Sequence, residues 1–121
     1  MAFKMIWQER RVTITYSGHV SDVQIGMAAR LIQGDPRSDG LHEILHDGRE
    51  GTSFSFSEAI IEEIAAIDGA FAMSVPKLRI AIVTERPDVI AAVDHYTGLE
   101  LSPFPVRVFA DIEAAERWLS S

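Results

Sequence analysis

The sequence predicts an α/β domain: a mainly parallel or mixed five-stranded sheet that opens with an antiparallel hairpin and carries about four helices. Three observations predict it. A pair of alternating strand-like runs opens the chain, strand-like and amphipathic helical runs then alternate, and the run LRIAIV at residues 78–83 is apolar except for one arginine. Strands alternating with helices imply parallel pairing, and a near-continuous apolar run suits a central strand covered on both faces.

The elements follow in order. Residues 3–8 and 11–16 read as two strands; in the second, Val12, Ile14 and Tyr16 alternate with Thr13 and Thr15. Glu9 and Arg10 alone separate them, so a tight antiparallel hairpin is expected, with one member at a sheet edge, and Gly18 is expected to break the second strand. Ser21 and Gln24 form a capping box ahead of a helix with Ile25, Ala28, Leu31 and Ile32 on its apolar face. Gly34 and Pro36 end that helix, and GDPRSDG reads as a loop.

Residues 41–47 read as a short buried strand that stops at Asp47-Gly48 and gives way to a loop, DGREGTSFS. Ser55 and Glu58 repeat the capping-box pattern, and the helix behind them carries Ile60, Ile64, Ile67 and Phe71 on one stripe, with Glu58, Glu62 and Glu63 on the polar side. After the connector Val75-Pro76-Lys77 comes the central strand, then a helix with Pro87 in its first turn, Ile90, Val93 and Tyr96 toward the core, and Gly98 past its end. Val106–Phe109 is a last short strand, and Asp111 caps a terminal helix that buries Ala115, Trp118 and Leu119. Residues 99–105 (LELSPFP) either leave Phe104 exposed or bury it; the sequence does not settle which.

The whole chain, 1–121, is expected to form a single domain, since 121 residues can enclose one core and not two. With 47% hydrophobic and 24% charged residues, the composition is that of a globular protein and excludes collagen-like and disordered classes. The chain has no cysteine, which removes disulfides, thiolate nucleophiles, iron–sulfur clusters and Cys-based zinc sites, and accords with a reducing cytoplasm. The start MAFKMIWQERR is too interrupted by charge for a signal peptide, and no run approaches the ~20 apolar residues of a membrane span. A net charge of -7 repels phosphate backbones, so nucleic acid is not expected as a partner.

The opening hairpin through Tyr16-Ser17-Gly18, the strand ILHD ending at Asp47, the strand LRIAIV and the ending VRVFADIEAAERWL together resemble the SpoIIAA-like family, relatives of STAS domains. The resemblance covers nearly the whole chain and implies a SpoIIAA/STAS-like fold and a regulatory protein-interaction role. Phosphoswitch members of that group carry a strand ending in Asp and, after a loop, a Ser at a helix N-terminus. Asp47 and the pair Ser55 and Ser57 match those positions, which makes both serines candidate phosphoacceptors. The Asp-Ser-Ser/Thr-Gly motif itself is missing: the local sequence is SFSFSEA. The wider fold group also includes lipid carriers.

Ligands of open α/β sheets bind beyond the carboxyl ends of the strands. That edge gathers Asp47, Gly48, Arg49 and Gly51 after one strand and Thr84, Glu85 and Arg86 after the next. DGREG either brings backbone N–H groups and Arg49 to an anion, or is a loop whose glycines merely permit turns. It is not a Walker loop, because no Gly-Lys-Ser/Thr follows. His42 and His46, on a strand, stand roughly 13 Å apart and cannot share a metal; His19 and His95 have no assignable partners. No Gly-x-Ser-x-Gly elbow exposes a nucleophile. Phe54 and Phe56 flank a helix start, where one is expected to act as a staple and the other to face solvent, and Trp7 either covers the core or lines an interface.

The expected function is a non-enzymatic SpoIIAA-like module that binds another protein through Asp47, Gly48, Arg49, Gly51, Phe54, Ser55, Ser57 and Arg86, with no cofactor and no metal. The alternative is a carrier of a small lipid or anion at the same edge, favoured by a deep apolar cavity there; a hydrolase or transferase is a third reading. Homodimerisation is expected through the edge strand of the hairpin.

Overall fold

The computed structural model describes residues 2–121. Strand β1 (Phe3–Trp7) and β2 (Arg11–Val20) form the antiparallel hairpin, closed by Gln8 N–H donating to the Arg11 carbonyl at 2.8 Å. There follow α1 (Asp22–Gly34), a 3-10 turn (Pro36–Gly40), β3 (Glu43–Phe54), α2 (Glu58–Phe71), β4 (Arg79–Val83), α3 (Pro87–Gly98), β5 (Val106–Phe109) and α4 (Ile112–Leu119). The five strands lie in the order β1-β2-β3-β4-β5, with every pair after the first parallel.

That order decides where the helices go. Each crossover from β2 to β5 steps to the next strand in the same direction, and right-handed crossovers then put α1, α2 and α3 on one face. Val12, Ile14, Tyr16, Ile44 and Ile80 point to that face and share a core with Ile25, Ala28, Ile32 and Phe71. The alternate residues Leu45, Ala81 and Val83 point the other way, onto Ala115 and Leu119 of α4. Arginine at position 79 fits the apolar run because its guanidinium leaves the sheet to bond the Trp118 carbonyl at 2.8 Å.

Several expectations are corrected. The second strand does not break at Gly18. This residue takes a φ of 66°, the left-handed region glycine tolerates, and the ladder shifts register there while the strand continues to Val20. The third strand does not end at Asp47: residues 48–54 stay extended because the long β2 supplies partners, Ser17 to Glu50, Gly18 to Gly51 and Val20 to Phe54. The N-cap of α2 is Ser57, whose Oγ accepts from Ile60 N–H at 3.1 Å, in place of Ser55. The GDPRSDG loop winds into the 3-10 turn, capped by Asp35.

Leu31 and Ile90 are exposed, and Val89 takes the inward place on α3. Phe104 is buried, edge-on to Phe71, because residues 99–105 fold back against α2. The Ser21/Gln24 capping box forms as expected, and Trp7 packs at the margin of the core beneath Arg37.

Candidate ligand-binding site

The site lies where β3 outruns β4. Asp47 is paired to Val83, the last residue of β4, and beyond it β3 is laddered to β2 alone. Helices α2 and α3 span the gap above the sheet, and beneath them is a cavity of about 140 Å³. Its floor is Tyr16, His46 and Ile82; its roof is Ile64 and Asp68 of α2 and Tyr96 of α3. A smaller annex of about 60 Å³ continues toward α1 past Ile67 and Phe71.

Phe54 and Phe56 close one side as parallel rings 5.6 Å apart. Gly51 makes room for the Phe54 ring and Gly48 for the neighbouring strand's carbonyl. A Cβ on Gly51 would overlap the Phe54 ring, and one on Gly48 would come within 3.2 Å of the Val83 carbonyl oxygen. Arg86 holds the end of β3 from outside: its Nη1 donates to the Thr52 carbonyl at 2.9 Å, its plane lies over the Phe54 ring, and Asp88 neutralises it at 3.0 Å.

Polar groups enter this apolar space at two places. On the sheet, the Tyr16 hydroxyl and His46 Nδ1 are 2.9 Å apart, with the rings stacked. Burial pulls His46 down to about 4, so it is neutral at physiological pH, and pushes the Tyr16 phenol well above its usual range. On the helix side, the Tyr96 hydroxyl donates to Asp68 Oδ2. Burial pushes the Asp68 carboxyl up to about 6, against the opposing effect of that hydrogen bond.

The strand-end residues divide between two faces. Gly48 and Phe54 line the cavity, whereas Asp47 and Arg49 turn to the α4 side. There Arg49 Nε and Nη2 bind the Asp47 carboxylate at 2.9 and 2.8 Å, holding it below the usual carboxylate range. DGREG is therefore no anion nest: its glycines are extended and its arginine is occupied by Asp47. Ser55 and Ser57 are exposed at the start of α2, where Ser57 N–H bonds Asp22 at 3.2 Å. His46 faces the α-helical side of the sheet and pairs with Tyr16, while His19 bonds Ser53 Oγ at 2.6 Å.

Tyr16, His46, Asp68 and Tyr96 were not among the site residues expected from sequence. One signal was present: Asp68 falls on the stripe Ile61, Ile64, Asp68, Phe71, an acid at a core-facing helical position.

No protein-family model and no curated sequence matches the chain. Solved structures do. The anti-sigma factor antagonist SpoIIAA in its unphosphorylated form superposes with a TM-score of 0.62 at 12% identity, over 97% of this chain and 97% of that one. The phosphorylated form of the Bacillus cell fate determinant SpoIIAA gives 0.62 at 13% identity, over 97% and 99%. An uncharacterised DUF3478-family protein with a SpoIIAA-like fold, from Shewanella loihica PV-4, gives 0.54 at 17%, over 98% and 92%. The chain has the SpoIIAA-like α/β fold, as its sequence resemblance implied. Among the described residues, no helix is long and apolar enough to cross a membrane.

Proposed function

We propose that this chain is a non-enzymatic SpoIIAA-like module that holds a small, largely apolar ligand in the cavity between its sheet and α2/α3. The observation that carries this is the cavity itself: about 140 Å³, walled by isoleucine, valine and aromatic side chains, with a few convergent polar groups. An apolar cavity of about 150 Å³ admits benzene, so the enclosed space takes a group of single-ring size. The carrier alternative thus outranks the protein-interaction reading on geometry, and a cytoplasmic setting accords with a chain free of cysteine.

The interaction reading is favoured by a different observation, the likeness to SpoIIAA, an anti-sigma factor antagonist. In that reading the partner meets Arg49, Ser55, Ser57 and Arg86 at the exposed start of α2, and the two serines are the phosphoacceptor candidates.

Native mass spectrometry of protein purified gently from its own host tests both. A retained small-molecule mass, lost when Ala92→Trp fills the cavity, is the expected result. A second protein chain that is lost in Ser57→Glu and kept in Ala92→Trp transfers the function to the interaction surface.

A further inference from the structure

The two polar intrusions restrict what the cavity accepts. The Tyr16 hydroxyl has one partner among the described residues, His46 Nδ1. A buried phenol that accepted a proton from Nδ1 would leave its own O–H unmet, which is costly. The satisfied arrangement has Tyr16 donating to Nδ1, and a neutral imidazole then carries its proton on Nε2. His46 Nε2–H has no bond to any described residue, and its ring lines the cavity from the sheet side.

Across the cavity, Asp68 spends one oxygen on the Tyr96 hydroxyl, and its second oxygen accepts from no described residue. The cavity thus offers a donor and an acceptor that no described residue engages, both at the lining of its open interior. Among the described lining residues Asp68 is the only acid and there is no lysine or arginine, so an anionic ligand finds repulsion and no counter-charge.

We propose that the ligand is a small neutral ring compound bearing a hydroxyl group, a phenol or cyclic alcohol, whose oxygen accepts from His46 Nε2–H while its hydrogen goes to the Asp68 carboxylate. A hydroxyl is donor and acceptor at once, so one group meets both needs, as a water molecule there would. The ring lies among Phe54, Phe56, Ile64 and Ile82, and the cavity excludes carboxylates of the same size, fatty acids and benzoate included. The inference depends on the cavity being a ligand site, as proposed above.

Titration calorimetry and methyl-region NMR with phenol, toluene and benzoate test it on the wild-type chain. Phenol is expected to bind at least tenfold tighter than toluene, with benzoate weaker than both, and all shifts mapping to Ile61, Ile64, Ile82 and Val93. Asp68→Asn should cut the advantage of phenol over toluene at least threefold and raise benzoate affinity; His46→Phe should cut the advantage without helping benzoate. Toluene binding as well as phenol, or benzoate binding as well as either, overturns the hydroxyl inference and leaves the cavity reading standing. Absence of saturable binding by any of the three overturns both.

Discussion

Asp68 and His46 face one cavity and are perturbed in opposite directions by the same burial. Asp68 ionises near its ordinary 3.8 in the unfolded chain and near about 6 in the fold. Between those values the folded chain holds the extra proton, so this contribution weakens as pH rises. His46 titrates near 6.5 unfolded and about 4 folded; there the unfolded chain holds the extra proton, and the contribution strengthens as pH rises. Each is worth on the order of 2–3 kcal/mol across its window, and over the shared interval they offset one another. The wild type should therefore show a shallow stability profile from about pH 4 to 6. Asp68→Asn should unmask the histidine slope, with urea midpoints rising steeply over that interval; parallel profiles for both proteins would contradict the assignment. Gly51 gives a second residue-scale test. Gly51→Ala forces the Phe54 ring to move and should cost about 1–3 kcal/mol, whereas in a Phe54→Ala background the same substitution should cost little. Equal costs in both backgrounds would mean that the glycine serves the backbone and not the ring.

Among the elements, β1 and β3 carry the consequences. β1 is an edge strand, and α4 covers the β3–β5 side of its sheet face, which leaves Ile6 52% exposed. A second copy of the chain pairing along that edge would bury both the free backbone groups and Ile6. Light scattering at high concentration is expected to give a dimeric mass that returns to monomer in Ile6→Lys; a monomeric wild type sinks the edge-pairing idea. For β3, legibility from sequence was partial. Its first half, ILHD, reads correctly because apolar residues cover both faces of a central strand. Its second half, GREGTSF, has the composition of a loop, and no local pattern marks it as extended. It is a strand because β2, remote in sequence, is long enough to pair with it, and because Phe54 folds back to fill the space its glycines leave. The helices were legible in existence and approximate extent from Ser21, Pro87, Gly98 and Asp111. Their buried faces were less so: Leu31 and Ile90 point outward because each helix meets both the sheet and a neighbouring helix, and periodicity does not say which side the neighbour takes.

Over the whole molecule, the consecutive strand order stacks three helices on one face and leaves a single helix for the other. The three-helix side, spanning a sheet whose β3 outruns β4, is where space remains for a cavity. Filling that space should stabilise the chain as it abolishes binding: Ala92→Leu is expected to add about 1 kcal/mol to unfolding stability, read as a higher urea midpoint, together with loss of toluene shifts. A stabilised variant that still binds would place the ligand elsewhere. By itself the sequence determined the alternation of strands and helices, the opening hairpin, the capping of α1 and α4, and through these the SpoIIAA-like architecture, since each depends on residues within a few positions of one another. Only the tertiary structure decided the site. Tyr16 meets His46 across 30 residues and Tyr96 meets Asp68 across 28, and contacts at that separation exist only once the sheet has formed and the helices have settled on it. Burial then sets the protonation of those groups, and burial is a property of the assembled fold.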